Sequence, residues 1–411
     1  MQRTLKYLLV VLTLIFSFNR SLQGQSNLET KVVLFSLDGI GIDQFNDKYM
    51  PKLWALMKES GGWGASVPVT PSQTFPSHVS IATGVYPERH GVISNSFYDR
   101  VTGKAVGSSA FVEFLDEEPL WVASTRSGIR TGVYHWPCAT GAWRGVEPEL
   151  FKIFDSKLSD QDNLLRCSDG LSQGLQLIMA YLSGTDSEGH QHGALSAEVI
   201  SKLKFSDDIL TDWILSTRSK YPNLKVIITS DHGMVSPTKR INLYQVLKDF
   251  DVNIFTFGGS ASIYTDRKEQ IEVILQKLQS IEGLRAWSQK EIPKEFMMKN
   301  NPKTGDIFII ADLPNWLSNS QNIYETISEI NGRKGAHGYI SSAALPSSRF
   351  KKKKDRDVAK LMTSFFVFIG KKVGNLGTFN SVDIAPTITE WLSIDWETPR
   401  DGKPIKHLKQ P

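Results

Sequence analysis

The chain has 411 residues, of which 40% are hydrophobic and 22% charged. That supplies a large core, in one large domain or two ordinary ones, and no repeat period is evident. The formal net charge is +4, and without residues 1–24, which carry Arg3, Lys6 and Arg20 and no acid, it is about +1, so nothing electrostatic argues for nucleic-acid or membrane binding.

Residues 1–24 read as a secretory signal peptide. Arg3 and Lys6 precede 12 mostly apolar residues, Tyr7 to Phe18, and a polar stretch with small residues follows. The apolar run is short for a membrane span, which needs about 20 residues. The expected product is exported, periplasmic or secreted, with cleavage near Gly24/Gln25 and no stable membrane anchor.

"KVVLFSLDG" (31–39) is a near-continuous apolar run ending in Asp-Gly, and "LKVIITSDHG" (224–233) repeats the arrangement. Such runs predict strands buried on both faces, as in a parallel sheet covered by helices. Helix-like stretches lie between them, at 50–60 and 197–221, and the second leads into the strand at 224–229. Helix followed by strand argues an α/β fold. Residues 236–335 differ: strand-like "VNIFTFGGSASIYT" and "GDIFIIADL" flank an amphipathic "KEQIEVILQKLQSI". They read as a small α+β cap insertion in a single catalytic domain spanning 25–411. The basic run 351–354 reads as a solvated loop. A strand "FFVFIG" (365–370) and a helix "VDIAPTITEWL" (382–392) close the chain.

The candidate chemistry sits beside glycines: Asp38 in "SLDG", Asp186, His190 and His192 in "GTDSEGHQHG", Asp231 and His232 in "SDHGM", His337 in "GAHGY". Asp186 and His190 are four apart, so one helical turn puts both on one side. Imidazole and carboxylate together suit zinc, and six of these residues make two zinc shells. Paired zinc ions stabilise the attacking and leaving oxygens of an in-line displacement. Cys138 and Cys167 lack CxxC spacing and make a poor zinc site; the sequence leaves open whether they form a disulfide. Each polar residue also has an ordinary reading: a turn for Asp38, a capping loop for Asp231 and His232, a core or surface histidine for His337. His78, His90, His135 and His407 read as structural, and His192 is a further metal candidate through His190-x-His192.

"TPSQTFPSH" (70–78) holds Thr74 in a segment stiffened by Pro71 and Pro76. A stiff, hydroxyl-bearing turn is one way to present a nucleophile at little cost in orientational entropy, and it also reads as an ordinary surface loop. With "LDG" (37–39), "TGVYPERHGVISN" (83–95), "YLSGTDSEGH" (181–190), "SDHGM" (230–234) and "HGY" (337–339), it resembles the nucleotide pyrophosphatase/phosphodiesterase family of the alkaline phosphatase superfamily. The resemblance implies an alkaline-phosphatase-like fold, with a central, mostly parallel sheet flanked by helices. It implies Thr74 as nucleophile, forming a phosphothreonine, and two Zn²⁺ per subunit. One zinc would be held by Asp38, Thr74, Asp231 and His232, the other by Asp186, His190 and His337. Asn95 would hold a phosphoryl oxygen, and Phe75 and Tyr181 would sandwich a nucleotide base. The implied partner is a small-molecule phosphodiester or nucleotide.

The sequence departs from the family pattern at Ser77, where Asn is common, at Thr185, where Pro is common, and after "HGY". None of these removes a ligand; they bear on substrate identity. Two other readings stand beside phosphodiesterase: a phosphomonoesterase or phosphonate hydrolase of the same superfamily, and a catalytically silent binding protein. An oligomeric state is not readable from the sequence.

Overall fold

The computed structural model describes residues 30–107, 111–341 and 353–409. The expected signal peptide lies outside the described residues. In chain order the strands of the main sheet begin with β1 (Val32–Leu37), β2 (Gly61–Val67), β3 (Thr131–Tyr134), β4 (Leu150–Lys152), β5 (Leu177–Leu182) and β6 (Lys225–Thr229). The chain then builds a second sheet from β7 (Asn253–Phe257), β8 (Ser260–Tyr264), β9 (Leu284–Ser288) and β10 (Ile307–Ala311). It returns to the main sheet with β11 (Ser364–Ile369) and β12 (Gly374–Asn380).

Among the described residues the main sheet has eight strands in the order β12-β2-β11-β6-β1-β5-β3-β4. β1 pairs in parallel with β5 and β6, and β3 with β4 and β5. Only β11 runs against both neighbours, β2 and β6. The second sheet, order β7-β8-β10-β9, is antiparallel throughout.

β1 shows why these strands lack alternation. All six of its residues are buried. Val32 and Leu34 join one core, while Val33, Phe35 and Leu37 join another on the opposite face. Both faces are therefore dry, which selects an unbroken apolar run. The second core is closed by α1 (Pro51–Ser60), whose Leu53, Leu56 and Met57 turn inward, and by residues of the long helix Ala197–Lys220. Pro51 opens α1 at a position where a missing N–H costs nothing.

Two segments differ from their sequence reading. "TPSQTFPSH" is not a loop throughout: Thr74 is the first residue of α2 (Thr74–Thr83). Pro76 falls in the first turn, where N–H groups lack intrahelical acceptors, so the helix tolerates it. Lys353–Met362 is a helix rather than a solvated loop, and Lys351–Lys352 lie outside the described residues. Val358 and Met362, four apart, pack on the core beside the second sheet. That apolar pair decides the local structure over the charge run. Cys138 and Cys167 are free and buried, in the cores on opposite faces of the main sheet.

Candidate active site

The carboxyl ends of parallel strands are where α/β sheets bind ligands, and the chemistry gathers there. Asp38 follows β1, Asp231 and His232 follow β6, and the segment after β2 leads to Thr74. After β5 the chain enters α3 (Gly184–His192), which carries Asp186 and His190 one turn apart. His337 arrives from beyond the second sheet. Asp38, Asp231 and His232 form one group of potential ligand atoms and Asp186, His190 and His337 another, each within 4.8 Å. The His232 and His337 rings stack at 3.6 Å between centroids, so the two groups adjoin.

Every histidine of these groups is oriented in the same way. Nδ1 of His190 lies 2.9 Å from the Gly335 carbonyl, that of His232 3.0 Å from the Gly233 carbonyl, and that of His337 3.1 Å from the Ser72 carbonyl. A carbonyl only accepts, so Nδ1 carries the proton and Nε2 offers its lone pair. Nε2 of His232 is 3.3 Å from Thr74 Oγ1, 3.4 Å from Asp38 Oδ1 and 3.1 Å from Asp231 Oδ2.

The carboxylates are divided likewise. Asp231 Oδ1 accepts from the Gly39 and His232 N–H groups at 3.2 and 3.0 Å. Asp38 Oδ2 accepts from the Tyr181 hydroxyl. Their other oxygens, Asp38 Oδ1 and Asp231 Oδ2, have no hydrogen-bond partner, nor do Asp186 Oδ1 and His337 Nε2. Burying such atoms unpaired is costly unless a cation takes them. Burial, with the charges of Asp186 and Asp231, drives the Asp38 carboxyl well above its ordinary range, and burial pushes Asp231 up to about 7. Burial, with His232 and His190 nearby, holds His337 well below the usual imidazole range. Acceptor-only atoms converging in a largely buried site fit divalent cations with imidazole and carboxylate ligands.

Thr74 stands at the head of α2, where N–H groups are free for an anion. Asn95 Oδ1 accepts from the Phe75 N–H at 2.7 Å. That fixes the amide and leaves Asn95 Nδ2 without a partner among the described residues. Gln73 had no signal beyond its place before Thr74, yet it organises this corner. Its Oε1 accepts from the Asn95 N–H at 2.6 Å and the Ser94 hydroxyl at 2.9 Å, and its Nε2 donates to Ser260 Oγ at 2.7 Å. His78, read as structural, is fully buried and contacts the Thr74 carbonyl at 2.8 Å through Nδ1, 3.4 Å from Asp231 Oδ2.

Tyr181 is not a free stacking face. It is 8% exposed, its hydroxyl is taken by Asp38, and its ring meets the His78 ring at an interplanar angle of 89°. The exposed aromatic ring beside it is Phe154, 49% exposed and 5.9 Å from Tyr181 between centroids. His192 lies apart from both groups, with Glu188 and Glu198 at 3.5 and 3.7 Å.

Fold and site together define an alkaline-phosphatase-like protein carrying two adjoining candidate metal groups, one of them beside a threonine hydroxyl. The profile of the type I phosphodiesterase/nucleotide pyrophosphatase family matches residues 32–340, and the chain belongs to that family. It is thereby a hydrolase of phosphodiester bonds. It is 28% identical to an uncharacterized pyrophosphatase/phosphodiesterase of Schizosaccharomyces pombe, over 92% of this chain and 79% of that protein. It is 28% identical to the bis(5'-adenosyl)-triphosphatase of Homo sapiens, over 79% of this chain and 72% of that one. Identity to the human ectonucleotide pyrophosphatase/phosphodiesterase family member 1 is 32%, over 56% of this chain and 26% of that much longer protein. Murine ectonucleotide pyrophosphatase/phosphodiesterase 5 superposes with a TM-score of 0.79 at 21% identity, over 91% of this chain and 98% of its own. An inactive variant of that protein in complex with AMP superposes with a TM-score of 0.80. Among the described residues no helix is long and apolar enough to cross a membrane.

Proposed function

We propose that the chain is an exported, zinc-dependent hydrolase of nucleotide-type phosphodiester or pyrophosphate bonds, working through a phosphothreonine at Thr74. The observation that carries this reading is two adjoining Asp/His groups, joined through the stacked His232 and His337 rings, with the Thr74 hydroxyl at a helix head 3.3 Å from His232 Nε2. Asp38, Asp231, His232 and Thr74 would hold one zinc, and Asp186, His190 and His337 the other. Bound zinc supplies Lewis acidity, which makes a threonine alkoxide and a hydroxide accessible near neutral pH and neutralises charge on the leaving oxygen.

The remaining work falls to the chain. Thr74 Oγ attacks phosphorus in line, the leaving alcohol or phosphate departs, and water then cleaves the phosphothreonine to regenerate the hydroxyl. Asn95 Nδ2 and the Thr74 N–H donate to a non-bridging oxygen as its charge grows. Gln73 keeps Asn95 aimed. Ser72, behind Pro71, accepts from His337 Nδ1 and donates its N–H to the Tyr339 carbonyl at 3.1 Å. The stiff segment therefore fixes the nucleophile relative to a ligand of the second metal, which preserves the attack geometry. Phe75 offers one face for a base, and the exposed Phe154 ring is better placed than Tyr181 to offer the other.

The test compares the p-nitrophenyl ester of thymidine monophosphate with p-nitrophenyl phosphate, using zinc-loaded protein of residues 25–411. A large preference for the diester supports the reading. A preference for the monoester replaces it with a phosphomonoesterase on the same fold.

A further inference from the structure

Beside Phe154, at the same carboxyl edge of the sheet, lies a polar cluster that the chemistry above leaves unused. His135 follows β3 and has a positive φ of 60°, a strained setting that concentrates at functional sites. Its Nδ1 lies 2.9 Å from Asn163 Nδ2, and its Nε2 lies 2.9 Å from an Arg166 terminal nitrogen. Asn163 Nδ2 also donates to the Tyr181 carbonyl at 3.0 Å, and Asn163 Oδ1 accepts from Arg166 at 3.2 Å. The Phe154 ring covers His135 at 5.5 Å between centroids.

The cluster has more donors than acceptors. Asn163 Nδ2 and Arg166 only donate, and a neutral imidazole accepts at one nitrogen. Burial and the Arg166 charge push His135 down to about 4, so the ring is neutral at physiological pH. Its own N–H therefore faces another donor. Turning the Asn163 amide over does not help, because it would set that oxygen against the Tyr181 carbonyl. Arg166 is half-buried and makes no ion pair among the described residues. Its contacts use one terminal nitrogen, so Nε and the other terminal nitrogen remain as an unoccupied fork. The nearby acids Asp155 and Asp160 bear on His135, and Asp162 on Arg166. They disfavour a second phosphate there and favour a neutral acceptor.

We propose that Arg166, positioned by His135 and Asn163, reads the edge of a base lying against Phe154, and that it selects guanine. An arginine fork matches two adjacent acceptors, which guanine offers as O6 and N7, whereas adenine puts an amino donor in place of O6. This rests on the nucleotide reading above and adds the identity of the base.

The experiment measures kcat/KM of the zinc-loaded enzyme on the p-nitrophenyl esters of GMP and AMP and on bis(p-nitrophenyl) phosphate, which has no base. The expected wild-type preference for the guanine ester is about tenfold. In Arg166→Met the guanine-to-adenine ratio falls to about one, and the loss on the guanine ester exceeds the loss on bis(p-nitrophenyl) phosphate. Arg166→Lys, which keeps charge without the fork, loses the discrimination too. Inhibition of the unmodified enzyme by GMP more tightly than by AMP supports the proposal without any variant. Equal wild-type rates on the two nucleotide esters, an equal loss of Arg166→Met on all three substrates, or full discrimination in Arg166→Lys overturns it. Wild-type rates no higher on nucleotide esters than on bis(p-nitrophenyl) phosphate would instead remove the nucleotide reading itself.

Discussion

Replacing Tyr181 by Phe removes one oxygen and little else. That oxygen donates to Asp38 Oδ2, and Asp38 is 1% exposed. Oδ1, which faces His232 Nε2 at 3.4 Å, has no hydrogen-bond partner. The hydroxyl thus holds the carboxylate so that its other oxygen points into the metal group. A hydrogen bond to a charged acceptor contributes about 1.5–3 kcal/mol, and losing a partner that orients a metal ligand costs about 10–100-fold in affinity or activity. The ring stays, so its packing against His78 and Phe154 is kept. Competitive zinc titration against a chromogenic chelator, alongside kcat/KM on a nucleotide ester and on bis(p-nitrophenyl) phosphate, reads the result. Tyr181→Phe should weaken one zinc by about tenfold or more and lower both substrates alike. Unchanged zinc affinity with both rates intact would refute the positioning role. In that case a loss in Tyr181→Ala confined to nucleotide substrates would return the ring to base stacking.

Thr74→Ala should lose turnover by several orders of magnitude with an unchanged circular dichroism spectrum; near-wild-type turnover would end the phosphothreonine mechanism. Gln73→Leu leaves the Asn95 N–H and the Ser94 hydroxyl without their acceptor, each costing about 1–3 kcal/mol if unsatisfied. Steady-state kinetics should show kcat falling more than KM rises if Asn95 acts on developing charge as proposed. Chelation should abolish activity and lower the thermal midpoint, with both restored by zinc; an active chelated protein would exclude the metal mechanism. His90 is fully buried, with Nδ1 accepting from the Val92 N–H at 3.2 Å and Nε2 2.8 Å from Ser80 Oγ, and burial pushes it down to about 3. Its folded pKa lies below the unfolded one, so its contribution is full above about 6.5 and is lost as pH falls toward 3, amounting to about 2 kcal/mol by pH 5. Denaturant titrations at pH 7 and 5 should show a smaller acid loss in His90→Gln than in the wild type.

Three strands of the main sheet were legible because burial on both faces writes itself as an unbroken apolar run, at Val32–Leu37, Lys225–Thr229 and Ser364–Ile369; the shorter or glycine-rich strands, such as Gly61–Val67 and Gly374–Asn380, carry no such run. Direction is not written that way. β11 reads like the parallel strands yet runs antiparallel, because strand polarity is set by the connection rather than by side chains. Asp38, Asp186, His190, Asp231, His232 and His337 stood out because close approach of backbones demands glycine beside them. At Gly233 a Cβ would lie 1.9 Å from the Leu361 carbonyl oxygen, and at Gly39, φ +74°, it would meet Asp186 at 3.0 Å. Gln73, His78 and the His135–Asn163–Arg166 cluster carry no comparable signal. Their roles come from contacts between segments far apart in sequence, such as the 187 positions separating Gln73 from Ser260.

The protonation pattern connects the fold to the chemistry. The carbonyls that accept from His190, His232 and His337 belong to Gly335, Gly233 and Ser72. Gly335 and Ser72 lie on connections, and Gly233 on the turn after β6, so backbone geometry fixes which nitrogen is bare. A carbonyl only accepts, so it keeps the proton on Nδ1 and leaves Nε2 facing the carboxylates. The same logic separates the two oxygens of Asp38 and Asp231, one engaged by a donor and one left open. A site so arranged is preorganised for cations before any arrive, and the cost is stored as like charge among Asp38, Asp186 and Asp231. Cations held by Asp38, Asp231 and His232 and by Asp186, His190 and His337 would offset that repulsion.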